Sequence, residues 1–581
     1  MMTPLRAAVE TGRDVVALIS QLGDERPAVR ELASEQLTEL GSLAADELIR
    51  AAESSADLEV ALRARWLVDR LPLVADGDPP RVVAILERLP RLGVAERLRQ
   101  MQVLLRLDGD IGVEPLARMV LLERSTFAAT VAAALLAREW VPDDRFWPPV
   151  AEAIITGIGP SRRPAAALLR SLVRGSKAAS ADEKRIAADE AAAALAALAT
   201  TEPGPAADRV LLDDESLLDE TAAVRIFRRA LLMLRMTAGQ KDEALAEARR
   251  LLAAAREHDG DAMLAIELAW LTEHGLPEAV DLVPLDGDGV SPLVAYAAAV
   301  ARRRLGDDLA AAELAARGSA ALDAADVSAA ARLQAAQLLA HWGAVEWCLA
   351  EHATLIDDAE SSVGMLATAG VTCAEYLHEQ GRDEEATALL GKLLDGPGRR
   401  EGIEQAISEI GNDPANLRAR MHYFAACAAA QRGDTAAERR LVDEALAAQD
   451  QEVDSLIALY RLAGQDPERL AAVRPRIQRA VTRIEETLVT VPEDAASYNE
   501  YAWLVSNTEG DFGQATAFAR KAVELSPESP SLLDTLAHCL AAEGDLDGAI
   551  RTQSVAVRLE PHNRMLRLNL ERFEDRRRKQ P

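Results

Sequence analysis

Aromatic residues are scarce in this chain, at 3% of 581 residues, although 49% of the sequence is hydrophobic. The apolar content is therefore carried by Ala, Leu and Val, and the strong helix formers among them predict an all-α fold with closely packed helices. Cysteine is rare too: Cys348, Cys373, Cys427 and Cys539 are scattered through apolar helical segments and form no C-x-x-C pair, which excludes a disulfide framework. No stretch reaches the ~18–20 continuous apolar residues of a membrane span. The only apolar run near the N-terminus, Val15 to Ile19, lies between Asp14 and Asp24 and falls short of the ~7–15 residues of a secretory signal. A cytoplasmic protein without a membrane association is expected.

Lysine is nearly absent, with six residues against 59 arginines. The arginines are dispersed, as a compositional bias leaves them. One cluster, Arg576, Arg577, Arg578 and Lys579, ends the chain, where a basic helix terminus suits the helix dipole. Acidic residues dominate, 94 against 65 basic, for a formal charge of −29. Such a surface repels polyphosphate, so a nucleic-acid partner is not expected. The length exceeds the roughly 250–300 residues at which one core stops growing, which calls for several domains or a repeat array.

Self-similarity is clearest at the C-terminus. Pro492, Pro527 and Pro561 lie 35 and 34 residues apart, and between them Gly510-Asp511 and Gly544-Asp545, Ala515 and Ala549, Ala522 and Ala556, and Leu525 and Leu559 recur. Each unit reads as a helix, a Gly-Asp turn and a second helix: glycine takes the positive φ that ends the first helix, Asp caps the second, and proline stops it. These residues resemble the tetratricopeptide repeat family. Tyr498, Tyr501, Ala502 and Val505 in one unit, and Leu533, Leu536, Ala537 and Leu540 in the next, match the large, large, small, large pattern of that family's first helix. The family's second-helix aromatic is missing, with Ala519 and Gln553 near its place. Residues 562–578 look like the added helix that covers the open end of such arrays, with Met565, Leu568 and Phe573 expected inward.

Weaker copies extend upstream. Turn-like glycines stand at Gly239, Gly275, Gly306, Gly343, Gly381, Gly433 and Gly464, with one gap of 52 residues that signals an insertion near Asp395. Ala244, Ala311 and Ala386 sit five residues after their glycines, as Ala515 and Ala549 do. Roughly nine degenerate repeats are thus expected between about 220 and 561. The N-terminal third has another rhythm: Val29, Leu32, Ala33, Leu37 and Leu40, then Val60, Ala64, Leu67 and Leu71, follow helical spacing, and Val29 and Val60 are 31 apart. An acidic turn, Val29-Arg30 and leucines on one helical face resemble the HEAT-repeat family. A Ser180-to-Glu183 capping box opens an Ala-rich helix up to Ala199, and the run TTEPGPAAD from Thr200 marks a boundary.

Motifs for chemistry fail on inspection. Gly391-Lys392 lacks the rest of a phosphate loop, with Ala386 for the first glycine and Leu393 for the hydroxyl. The run DGDGVSP from Asp286 has Ala297 where a calcium loop needs its last carboxylate. His341, Cys348 and His352 would share a face only on an unbroken helix, and Gly343 interrupts it. His538-Cys539 are adjacent and diverge by ~100° on a helix. No catalytic residue, cofactor or metal is assigned.

The reading is an all-α solenoid of stacked antiparallel helix pairs. It comprises a HEAT-like domain over 1–199, a linker over 200–219, degenerate tetratricopeptide-like repeats over 220–490, and two well-matched units with a capping helix over 491–581. The expected function is that of a non-enzymatic interaction scaffold holding a partner protein or peptide on its concave face. The alternative is a ligand-sensing or enzymatic solenoid with a pocket inside the superhelix. The family's groove positions fall on Asn499, Trp503, Ser506, Asp534 and His538. Trp503 is the expected anchor for an apolar partner side chain, and Asp534 speaks against a carboxylate-clamp site.

Overall fold

Helix after helix follows from the turn chemistry of the sequence. The nine glycines expected in turns, Gly239, Gly275, Gly306, Gly343, Gly381, Gly433, Gly464, Gly510 and Gly544, all have positive φ, the left-handed geometry that ends a helix at no steric cost only for glycine. Asp307, Asp434, Asp511 and Asp545 then cap the following helices by accepting backbone N–H bonds. The computed structural model describes residues 14–140, 147–199, 210–211, 217–218, 220–285, 289–323, 328–358, 361–395, 400–464 and 466–580. The first three residues of the Asp286 run, most of the expected linker and part of the insertion segment lie outside these residues. The chain divides into two compact units, residues 1–251 and 252–581.

The first unit is all helical apart from a two-residue antiparallel ladder, Val210 with Leu218 and Leu211 with Leu217. Val29 and Val60 fall at the third residue of the helices Pro27–Leu40 and Leu58–Val68. Ala33 and Leu37 are buried there as expected, but Leu32 is 54% exposed. From residue 82 to 234 packing is not confined to sequence neighbours. The helix Thr126–Arg138 is buried at every position from Ala128 to Ala137 and touches the helices Val94–Leu105, Val113–Leu122, Pro164–Lys177 and Glu220–Thr237. A helix apolar all round has to be surrounded, and its alanines let neighbours approach closely. The helix Ala181–Ala199 also packs on Glu220–Thr237, so helices on either side of the expected linker are neighbours within one unit.

The second unit is a run of antiparallel helix pairs. Pro292–Arg304 pairs with Asp308–Leu322, Ala329–His341 with Val345–Asp357, and Val363–Glu379 with Asp383–Asp395. Pro414–Gln431 pairs with Thr435–Ala448, Val453–Ala463 with the 24-residue Pro467–Thr490, Ala495–Ser506 with Phe512–Leu525, and Pro530–Glu543 with Leu546–Leu559. Arg564–Lys579 covers the last pair. The 52-residue gap holds one extra helix, Arg400–Glu409.

Small side chains set the spacing of each pair. Ala311, Ala386, Ala515 and Ala549, five residues beyond their glycines, are 0–1% exposed. Cys348 takes the same place after Gly343 and is equally buried, so this thiol fills an alanine's role, and burial pushes it up to about 12. The aromatic missing from the family position is supplied one residue earlier: Phe518 meets Tyr498 and Tyr501 edge-on, with centroids 5.1 and 4.8 Å away. On the covering helix the buried residues are Leu566, Asn569 and Phe573, while Met565 and Leu568 face a cavity. Phe573 is inward as expected, while Met565 and Leu568 give way to Leu566 and Asn569, one residue further along. All four cysteines are free, and no described helix is long and apolar enough to cross a membrane.

Ala549→Leu forces extra methylenes between two helices already in contact and is expected to destabilise the second unit by about 1–3 kcal/mol in chemical denaturation. A loss below about 0.5 kcal/mol would mean that alanine does not set the spacing there.

Candidate functional site

The first helices of five successive pairs, together with the covering helix and part of Pro467–Thr490, enclose a cavity of about 1640 Å³. Asn499, Trp503, Asp534 and His538 lie on its wall, and Ser506 is not among the lining residues. Their common orientation follows from spacing: Asn499 and Trp503, like Asp534 and His538, are four apart and share one face of their helices. Ser506 donates its hydroxyl to the Trp503 carbonyl at 3.3 Å.

Several wall residues tie one helix pair to another. Arg420 donates two bonds of 2.6 Å to the Glu375 carboxylate and one of 3.1 Å to Asp454, with Glu452 at 3.6 Å. Three carboxylates around one guanidinium hold Arg420 well above its ordinary range in spite of its burial. Asp454 in turn accepts a bond of 2.8 Å from Trp503 Nε1. The Trp503 ring meets His538 edge-on at 4.9 Å, and His538 meets Phe573 edge-on at 5.1 Å. A polar and aromatic ladder thus runs from Glu375 through Arg420, Asp454, Trp503 and His538 to the covering helix. Asp534 Oδ1 accepts from Gln553 at 2.6 Å and Asn569 at 3.0 Å, so it fastens the covering helix.

Two wall atoms have no hydrogen-bond partner although they are buried: Asn499 Oδ1 and His538 Nε2. Burial pushes the His538 imidazole below its usual range, which leaves it neutral at physiological pH.

The turn before the covering helix folds back onto earlier turns of the same unit. Gln380 donates to the His562 carbonyl at 3.1 Å, and Arg564 donates to the Gln380 carbonyl at 3.2 Å. His562 Nε2 lies 3.6 Å from Glu273, but burial and the charges of Arg567, His341 and Arg304 push this imidazole down to about 4, so a neutral ring faces the carboxylate. Two glycines make room for the approach. A Cβ on Gly343 would stand 2.5 Å from His562 Nδ1, and one on Gly381 would stand 2.1 Å from Arg564 Nη1. Gly381 and Arg564 themselves line the cavity, so this latch closes the wall.

On the same wall His378 Nδ1 and Asp383 Oδ1 are 2.5 Å apart, Gln431 donates to the other Asp383 oxygen at 2.5 Å, and Cys427 completes a trio of donor atoms within 4.8 Å. The His378 ring stacks on Phe424 at 4.4 Å. Burial, with Asp383 adding, pushes the Cys427 thiol up to about 12, opposite to the shift that activates a nucleophile. The trio is a satisfied hydrogen-bonded group.

The other sequence candidates part as spacing predicted. Cys348 Sγ lies 3.6 Å from His352 Nδ1, which also meets the Cys348 carbonyl at 3.0 Å. His341 ends the previous helix, where burial depresses its imidazole against the pull of Glu560. Cys539 points to the Ala502 carbonyl, away from the cavity that His538 lines. Lys392 reaches Asp357 at 2.7 Å. Arg420, Glu375, Glu379 and the latch carried no motif in the sequence, because their roles depend on partners dozens to more than 200 positions away.

No family model matches the chain. A Pseudomonas putida protein described as a probable biofilm formation methyltransferase, WspC, is 52% identical over 60 residues, 10% of this chain and 14% of that protein. The chain thus spans about one seventh of that relative. Among solved structures, a thermophilic tetratricopeptide protein of Thermus thermophilus, TTC0263, is 18% identical, covering 36% of this chain and 98% of that one at a TM-score of 0.24. The Cut9–Hcn1 hetero-tetramer of APC/C is 12% identical over 94% of this chain and 93% of that one, at 0.21. Scores of this size carry no argument, and the repeat type rests on the turns, alanines and pairing described above. The second unit is a solenoid of antiparallel helix pairs whose turns and buried alanines resemble the tetratricopeptide pattern.

Gly343→Ala and Gly433→Ala both place a side chain at positive φ, at a cost of roughly 1–2 kcal/mol, but Gly433 has open space around it. Amide exchange over residues 562–566 is expected to accelerate in Gly343→Ala and not in Gly433→Ala. Equal behaviour would show that His562 is not held against Gly343.

Proposed function

We propose that this protein is a non-enzymatic interaction scaffold whose C-terminal solenoid holds an extended segment of a partner protein in the cavity closed by the latch. The observation that carries this reading is the cavity's size with its wall chemistry. At about 1640 Å³ it exceeds the roughly 300–1,000 Å³ of small-molecule pockets. Its polar groups are spread along five helix pairs, as a chain-like ligand requires. The unpartnered Asn499 Oδ1 and His538 Nε2 offer hydrogen bonds to a backbone, and Trp503 is placed to pack against a side chain. Asn499, Trp503 and His538 are assigned as partner-binding residues and Asp534 as a positioning residue. Ser506 has the lesser part of bonding the Trp503 carbonyl.

A photo-crosslinking amino acid at Ser531, an exposed lining position, tests this in the full chain inside the cells that produce it. Discrete adducts are expected at Ser531, reduced several-fold by Trp503→Ala. A yield at Ser531 no higher than at Leu309, 73% exposed on another helix, would overturn the reading. A yield unchanged by Trp503→Ala would remove Trp503 as the anchor.

A further inference from the structure

The charges on the cavity wall are unbalanced. Among the described lining residues are nine carboxylates and five arginines, a formal excess of four negative charges facing one enclosed volume. The arginines compensate less than their number implies. Among the described residues only Arg420 of the five is ion-paired; Arg483 donates to the Gln451 side-chain oxygen, Arg564 to the Gln380 carbonyl and Arg572 to the Asn569 side-chain oxygen, and Arg461, also on the wall, makes no ion pair. Among the described residues Glu379 and Glu500 have no hydrogen-bond or ion-pair partner. Glu379 stands where Glu560 and Glu375 add their fields to its burial, against the opposing charges of His378 and Arg420, and its carboxyl is pushed up to about 7. Glu500 is raised as well, by burial and by Asp494 and Asp454 against Arg483.

A second, independent feature has the same polarity. Asn499 Oδ1 is a buried acceptor with no donor, on the same helical turn as Glu500. An acceptor left without a donor inside a wall of carboxylates fits a ligand rich in N–H groups. Charges of one sign around a cleft gather ligands of the other.

We infer that the occupant of this cavity is a cationic polypeptide segment, arginine- or lysine-bearing, whose charged side chains pair with Glu379, Glu500 and Glu560 while its backbone meets Asn499. This rests on the scaffold reading above and names the partner's chemistry. Binding is coupled to protons: Glu379 must ionise to pair with the cation, so affinity rises with pH through about 7 and levels off above it.

Fluorescence anisotropy on the full chain at physiological salt, with fluorescein-labelled oligoarginine and oligoglutamate of equal length, tests the assignment. Oligoarginine is expected to bind and oligoglutamate not. The triple variant Glu379→Gln, Glu500→Gln, Glu560→Gln is expected to weaken oligoarginine at least about tenfold. Glu25→Gln, Glu35→Gln, Glu39→Gln, which removes the same number of carboxyl groups from exposed sites of the first unit, is expected to leave it nearly unchanged. Circular dichroism establishes that both variants fold, and the single variant Glu379→Gln, expected to flatten the rise in affinity between pH 6 and 8, serves if the triple does not. Equal weakening by both triples, no oligoarginine binding, or preference for oligoglutamate would overturn the inference. Adducts at Ser531 that map to an acidic segment would sink the cationic assignment and leave the scaffold reading standing, whereas no adduct at Ser531 sinks the scaffold reading itself.

Discussion

The distance at which paired helices meet governs the C-terminal solenoid. Alanine, or Cys348 in its place, faces the partner helix just beyond the turn and allows backbones to approach closely. A larger residue would splay the pair, and each splayed pair would tilt every pair stacked after it. Positive-φ glycines hold the two helices antiparallel. Repetition of this geometry turns small rotations into curvature, and the curvature brings the His562 turn back to Gly343 and Gly381.

Curvature in turn sorts the side chains. First helices face inward and carry polar residues, so the ladder from Glu375 to Phe573 can bridge pair to pair across the inner surface. The Arg420 guanidinium is its electrostatic centre, holding carboxylates from two further helices within hydrogen-bond range. Removing one partner from such a buried group is costly because the remaining charges stay desolvated. These residues therefore keep successive repeats in register as well as colouring the wall.

What the sequence revealed depends on the range of the signal. Turns, caps and most of the buried alanines are written within five residues of a glycine and were legible, as was the insertion near Asp395, though not its being a helix. Asn499, Trp503, Asp534 and His538 were reachable because a family position specifies a helical face. The role of Asp534 was not, since Gln553 and Asn569 approach it from two other helices. Leu32 follows the helical stripe yet remains exposed, for periodicity tells which residues share a face and not how wide the covered face is. On the covering helix Phe573 was read correctly, but Met565 and Leu568 were each misread by one position for a related reason: the helix is packed on one side, and its flank opens on a cavity that no local pattern announces. Glu375, Arg420 and the latch depend on the summed rotation of several repeats, which no window of sequence contains.

The backward fold of the Pro561–Arg564 turn has a kinetic consequence. A groove open along its length exchanges occupants as fast as their own bonds break. If the cavity holds a partner segment as proposed, a collar fastened by Gln380, His562 and Arg564 would retain it until the fastening parts, and residence time would belong to the collar and scarcely to the guest. Chains that differ widely in intrinsic grip would then leave at one common rate.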